Sequence, residues 1–207
     1  MKVKIINCEQ NSEEWYKVRL GVATASSFSR IITSTGKEST SLRDYAFELA
    51  SEKLIIEQEE RYISSAMERG HELEPEARQL YQELMLQKVD QVGFCLNENL
   101  EFGCSPDGFV NIDGLIEIKC PNQKIHTKYF FNNKLPTEYV AQVQGQLLVT
   151  NRNWCDFVSY NPSFIESKRL FKIRINKDEK YIAKLLSGLL KTIELKNKIL
   201  TTLEGKL

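Results

Sequence analysis

Asp107 in SPDG, and Glu117 and Lys119 in GLIEIKCP, are the residues of this chain best suited to chemistry. In a strand with side-chain period two, Glu117 and Lys119 share a face with Leu115, while Ile116 and Ile118 take the other. A hairpin through Asp113-Gly114 folds Asp107 back towards that strand. Two carboxylates and an ammonium then meet at one sheet edge. Carboxylates about 4 Å apart repel by about 4 kcal/mol at an effective dielectric near 20, so a proton, the lysine or a divalent cation must offset them. Hard oxygen donors favour Mg2+ or Mn2+ over zinc. Such a set suits phosphodiester hydrolysis, in which metals polarise phosphoryl oxygens, activate water and steady the leaving oxygen. The lysine would orient or deprotonate the water, or stabilise transition-state charge. The competing reading is an ordinary surface ion-pair trio, worth about 0–1 kcal/mol per pair.

The elements that must position this trio are legible from period and punctuation. NSEEWYKVRLG predicts a short helix capped by Asn11, and TASSFSRII a second, capped by Thr24 or Ser26. STGKESTS reads as a polar loop. LRDYAFELASEKLII carries apolar residues at helical spacing, and SAMERGHELEPEARQLYQELM is helical with a kink or restart at Pro75. KVDQVGFCLN, EFGCSPDGFVNI and GLIEIKCP predict a three-strand meander. TEYVAQVQGQLLVT follows as a helix, WCDFVSYNP and KRLFKIRIN as strands, and a long amphipathic helix spans about 177–203. This order predicts one α/β domain with a mixed central sheet flanked by helices. Tyr139, Gln142 and Gln146 share one helix face, Gln144 points elsewhere, and Gly145 allows close helix–sheet packing. A row of amides suits an active-site wall, because it exchanges hydrogen bonds without adding charge. Its alternative is a solvated face.

Composition narrows the classes. The chain has 207 residues, 42% hydrophobic, enough to bury a sizeable core. No apolar run is long enough for a membrane span and no signal-peptide pattern appears, so a cytoplasmic protein without membrane contact is expected. The five cysteines are scattered without a CxxC pair, and the two histidines lack zinc spacing, which points to reduced thiols. Trp15 and Trp154 read as core anchors. The 28 basic and 28 acidic residues cancel, which argues against simple phosphate-driven DNA binding but not against a metal-dependent enzyme. The C-terminal helix is lysine-rich, a candidate DNA-channel wall or a solvated face.

CSPDGFV…GLIEIKCP, with EYVAQVQGQLLVT downstream, resembles the PD-(D/E)xK nucleases, and more narrowly the lambda-exonuclease or YqaJ-like viral recombinase family. EWYKVRLGVATAS, ERGHELEPEAR and WCDFVSYNP resemble further blocks of that family, in order, across about residues 14–162. The resemblance implies a restriction-endonuclease-like core. It implies metal binding by Asp107, Glu117, the Ile118 carbonyl and Glu74, with Lys119 the catalytic lysine. Glu72 and Glu76 compete with Glu74, and an ion pair with Arg78 is its structural alternative. Gln142 is implied near the metals and scissile phosphate. Arg19, Ser26 and Ser105 match the positions that bind a 5′-terminal phosphate, with Gln142 and Tyr139 beside the DNA. For Arg19 the alternative is an ion pair with Glu13 or Glu14. The activity implied is Mg2+-dependent 5′-to-3′ digestion of one strand of linear duplex DNA, with Mn2+ able to substitute and two ions present with DNA bound. The 3′ overhang would pass to a single-strand annealing protein, and a trimeric ring is implied. The rival readings are a structure-specific or restriction-like endonuclease, and a catalytically silent DNA-binding module.

Overall fold

Alternation and caps organise the described residues, 2–56, 64–97 and 101–205 of a computed structural model, around two sheets. The N-terminal part holds β1 (Val3–Ile6), α1 (Glu13–Lys17), β2 (Ala23–Thr24), a 3-10 helix at Ala25–Arg30, α2 (Leu42–Leu54) and α3 (Ser65–Met85). Five strands follow: β3 (Val89–Asp90), β4 (Phe94–Asn97), β5 (Phe102–Cys104), β6 (Gly108–Val110) and β7 (Gly114–Lys119). The chain ends with α4 (Gln123–Asn132), α5 (Val140–Thr150), β8 (Trp154–Tyr160), β9 (Leu170–Asn176) and α6 (Glu179–Glu204). The main sheet has the order β3-β6-β7-β8-β9 and the smaller one β1-β4-β5-β2. Strand β7 is antiparallel to β6 and parallel to β8, so the central sheet is mixed as expected.

The expected meander is not formed. EFGCSPDGFVNI splits into β5 and β6, which belong to different sheets. Pro106 lacks an N–H for either ladder, and the Gln10 amide fixes the crossing by donating to the Val92 and Pro106 carbonyls at 2.9 and 3.0 Å. Asp107 therefore sits at the junction between the sheets. The hairpin into β7 does form, but Asn111 takes the left-handed conformation (φ 51°), and Gly114 is already paired with Val110.

The caps also differ in detail. Ser12, not Asn11, caps α1 by accepting from the Trp15 N–H at 3.2 Å; Asn11 is left-handed at φ 69°. The second expected helix is the six-residue 3-10 turn, capped at Thr24 without a side-chain bond. Helix α3 does not restart at Pro75 but runs through it. Three elements were not legible: β1, whose VKII is an edge pairing with β4; β2, which pairs parallel with β5; and α4, whose cap Asn122 accepts from the Ile125 N–H at 3.0 Å.

The largest core cluster joins the 3-10 helix, α2, α5 and α6 against β4, β5 and β7. Gly145 serves close packing, but against the 3-10 helix: a Cβ there would lie 2.3 Å from the Phe28 ring. On the other face, α3 is tied to the sheet through buried Asp156 on β8. Asp156 accepts from Tyr81 Oη at 2.8 Å and from the Arg174 fork at 2.8 and 2.9 Å. Burial pushes the Asp156 carboxyl up, but these bonds and Lys172 outweigh it and hold its pKa below the ordinary 3.8. A carboxylate depressed in the native state stabilises fully above its unfolded pKa and loses that contribution as pH falls through the native value. Asp156→Asn is thus expected to cost about 3–5 kcal/mol at pH 7. In denaturant titrations at pH 7 and pH 3, the gap between wild type and variant should narrow at the lower pH.

Candidate active site

Strand β7 outruns β6: the ladder pairs Gly108 with Ile116 and goes no further along β7. The Ile118 N–H beyond it is taken by Asp107 Oδ2 at 2.5 Å. One residue to either side of Ile118, Glu117 and Lys119 form an ion pair at 2.5 Å. Glu117 is only 1% exposed. Both of its oxygens are engaged from α5: Gln142 Nε2 donates to Oε1 and Gln146 Nε2 to Oε2, each at 2.6 Å. The amide row is thus a wall gripping one carboxylate. Gln144 points away, bonding the Asn176 carbonyl and the Asp178 N–H. Tyr139 lies with its ring centroid 5.1 Å from Lys119 Nζ.

Helix α3 brings Glu74 to the same cleft, which it lines with Asp107, Ile118 and Lys119 in a volume of about 580 Å³. Glu74 also makes its i,i+4 ion pair with Arg78, whose Nε donates to the Asp107 carbonyl at 3.3 Å. Of its competitors, Glu72 is exposed and Glu76 accepts from Tyr160 Oη at 2.5 Å. An adjoining cleft of about 560 Å³ shares Gln10, Asn11, His71 and Glu74, so the groove continues past the carboxylates. A larger cleft of about 680 Å³ lies between α2 and α6, but Asp107, Glu117 and Lys119 do not line it.

The electrostatics are those of crowded anions. Burial, then Glu117 and Glu74, push the Asp107 carboxyl well above the usual range, against Lys119 and the Ile118 N–H. Burial also raises Glu74, with Arg78 opposing and Glu117 reinforcing. For Lys119 burial works against the charge, yet Glu117 and Asp107 outweigh it and hold the ammonium above an ordinary lysine. Held by these carboxylates, Lys119 is placed to orient a water or to stabilise developing negative charge.

Three carboxyl groups, Asp107, Glu117 and Glu74, thus lie near one ammonium. Asp107 and Glu117, with the Ile118 carbonyl and Glu74 nearby, offer hard oxygens. Among the described residues no group of three His, Cys, Asp or Glu side chains is placed to hold a metal ion. An ion that keeps several waters and takes one or two carboxylates, as Mg2+ does, does not need such a group.

The remaining expected residues lie on the far side of the Asp107 junction. Ser105 accepts from the Trp15 indole N–H at 2.7 Å, and the Arg19 guanidinium lies 3.7 Å above the Trp15 ring. Trp15 is thus a core residue that also links Arg19 to Ser105. Arg19 and exposed Ser26 line a small pocket of about 150 Å³ with Thr24 and Tyr45. Glu13 pairs with Lys17. Trp154 is only half-buried and stacks on Arg174 at 3.6 Å. Along α6, Lys191 pairs with Glu38 and Lys196 is buried against Glu101, while Lys206 lies outside the described residues.

The family model of the YqaJ-like viral recombinase domain matches residues 14–153. The chain belongs to that family. No curated protein matches it. Among solved structures, it is similar to the alkaline exonuclease LHK-Exo of Laribacter hongkongensis, with TM-score 0.86, 37% identity, and 94% of this chain and 97% of that one covered. The same enzyme in complex with dAMP gives TM-score 0.85 and 36% identity over 94% and 97% of the two chains. A phage-related exonuclease from Haemophilus somnus 129PT shares the fold at TM-score 0.68 and 15% identity, covering 88% and 96%. The fold is that of the lambda-exonuclease-like nucleases, and family and neighbour together support a nuclease role. Among the described residues no helix is long and apolar enough to cross a membrane.

Gln146 joins the site through Glu117, a partnership the helix spacing placed on the right face without assigning. Its own Oε1 is buried with no hydrogen-bond partner, so the amide is held by the carboxylate alone. Gln146→Leu should lower kcat for DNA hydrolysis about 10- to 100-fold, the usual effect of losing a partner that orients a metal-binding group. KM for DNA should hardly move, as steady-state kinetics on a linear duplex would show.

Proposed function

We propose that this chain is a Mg2+-dependent 5′-to-3′ exodeoxyribonuclease on linear double-stranded DNA, leaving a 3′ single strand for an annealing protein. The observation that carries the reading is the Asp107–Glu117–Lys119 cluster where β7 runs past β6, with Asp107 and Lys119 lining a groove. Mg2+, or Mn2+ in its place, would be held by Asp107, Glu117 and the Ile118 carbonyl, with Glu74 completing the set. Bound there, one or two ions would supply Lewis-acid stabilisation of the phosphoryl oxygens and a more acidic water.

The chain's own groups do the rest. Gln146 and Gln142 hold the Glu117 carboxylate in one orientation. Protonated Lys119 offers charge to the oxygens that become more negative in the transition state. Gln142 adds a neutral donor beside the scissile phosphate, and Tyr139 borders Lys119. Arg19, with Ser26 and Ser105, would hold the 5′-terminal phosphate; an arginine stacked on an indole is pre-organised for a bidentate phosphate contact. An anchor at one fixed distance from the metals accounts for cutting from an end in one direction. A trimer enclosing the duplex, working in the cytoplasm, would retain DNA without a net basic charge.

Linear duplex with 5′-phosphate or 5′-hydroxyl ends, digested with and without Mg2+, tests the reading. Activity should need the metal and prefer the phosphate. Arg19→Ala should reduce that preference about 10- to 100-fold, the range for a lost charged hydrogen bond. Lys119→Ala and Glu117→Gln should lose at least about 100-fold in kcat. Equal cleavage of closed circular DNA would rule out the end-directed mode.

A further inference from the structure

From Ile118 to Thr137 the chain carries four lysines and no acidic residue, although its overall charge is zero. Most of that stretch is α4, which the cap Asn122 starts just beyond Lys119. The helix has three faces. His126 and Phe130 turn to the protein, where His126 bonds Ser159 and the Lys168 carbonyl at 2.7 and 2.9 Å. Asn122, Ile125 and Tyr129 line the catalytic cleft. Lys124, Lys128 and Phe131, at i, i+4 and i+7, form the third face, which is exposed. Phe131 is 89% exposed, and Lys134 follows just past the helix end.

We infer that this third face of α4 is a binding track for unpaired DNA next to the catalytic cleft. The lysines match the phosphates in charge, and an exposed ring is a platform on which a base can stack. Unpaired DNA fits better than duplex, whose bases are already stacked on one another. It fits better than an acidic protein surface, which would leave the phenyl ring without a partner of its own kind. Continuity places the track well: a strand leaving the cleft past Ile125 and Tyr129 meets Lys128 and Phe131 about 100° further round the same helix. The inference rests on the nuclease reading for its setting, but binding is measured without catalysis.

The experiment is fluorescence anisotropy of a labelled oligo-dT 20-mer with the full chain in EDTA, across a series of salt concentrations. Phe131→Ala should weaken binding about 5- to 100-fold, the loss of one stacked base, while Phe131→Trp retains it. Lys128→Gln should reduce the slope of log affinity against log salt by about 0.7. Hydrolysis of bis(p-nitrophenyl) phosphate with Mn2+ should be the same in all three variants and wild type. Unchanged oligo-dT affinity in both Phe131→Ala and Lys128→Gln would overturn the inference. So would a fall in oligomer mass for Phe131→Ala by light scattering, which would make the face an interface between copies. Wild-type protein that binds oligo-dT through this face yet digests no DNA would contradict the nuclease reading and leave the track standing.

Discussion

A carboxylate buried on the central strand is the constraint that shapes this molecule. Taking Glu117 out of water costs several kcal/mol unless its oxygens are fully engaged. Each hydrogen bond to a charged group returns about 1.5–3 kcal/mol. Lys119 and Gln142 share one oxygen and Gln146 holds the other. That requirement fixes the height of α5 over the sheet, while Gly145 lets the same helix pack closely on Phe28 of the 3-10 helix. The parallel pairing of β7 with β8 then sets where Asp156 lies, and Asp156 fixes α3 through Tyr81. Glu74 reaches the cleft because α3 is held there.

The same logic explains why the anions are left in surplus. A fold that only had to be stable would place apolar residues where Glu117 and Asp107 sit. Here burial and mutual repulsion raise Asp107 and Glu74, and Lys119 answers only part of the negative charge. Perturbed groups gathered in a groove mark a candidate functional site. The helix pair α2–α6 forms a roomier cleft, yet its one acidic residue among those described, Glu38, is paired with Lys191.

Much of this was legible in the sequence because it depends on local period. The alternation in GLIEIK set Glu117 and Lys119 on one side, and the spacing of Tyr139, Gln142 and Gln146 set the facing helix. The mixed sheet followed from the order of elements. What escaped depends on contacts distant in sequence. Pro106 marks a break between β5 and β6, but the Gln10 amide that spans the crossing comes from far upstream. Helix α4 escaped because QKIHTKYFFN has three unlike faces and so no clean apolar stripe. Strand β1 escaped because its residues are largely exposed on an edge. At Glu74 the alternative of an ion pair with Arg78 is formed, and the same residue lines the cleft. The pocket of Arg19 and Ser26 required Trp15 to span α1 and the Asp107 junction, which no spacing rule reveals.

We propose that Asp107 and Glu117 form a divalent-cation site completed by the chain's own hydrogen bonds. Calorimetric titration of Mn2+ into the full chain, beside the Asp107→Asn and Glu117→Gln variants, tests it most directly. The account predicts saturable binding in the wild type that either substitution abolishes, with thermal unfolding still cooperative in both variants. Binding that survives both substitutions, or no binding to folded wild-type protein with or without a DNA end, would contradict it.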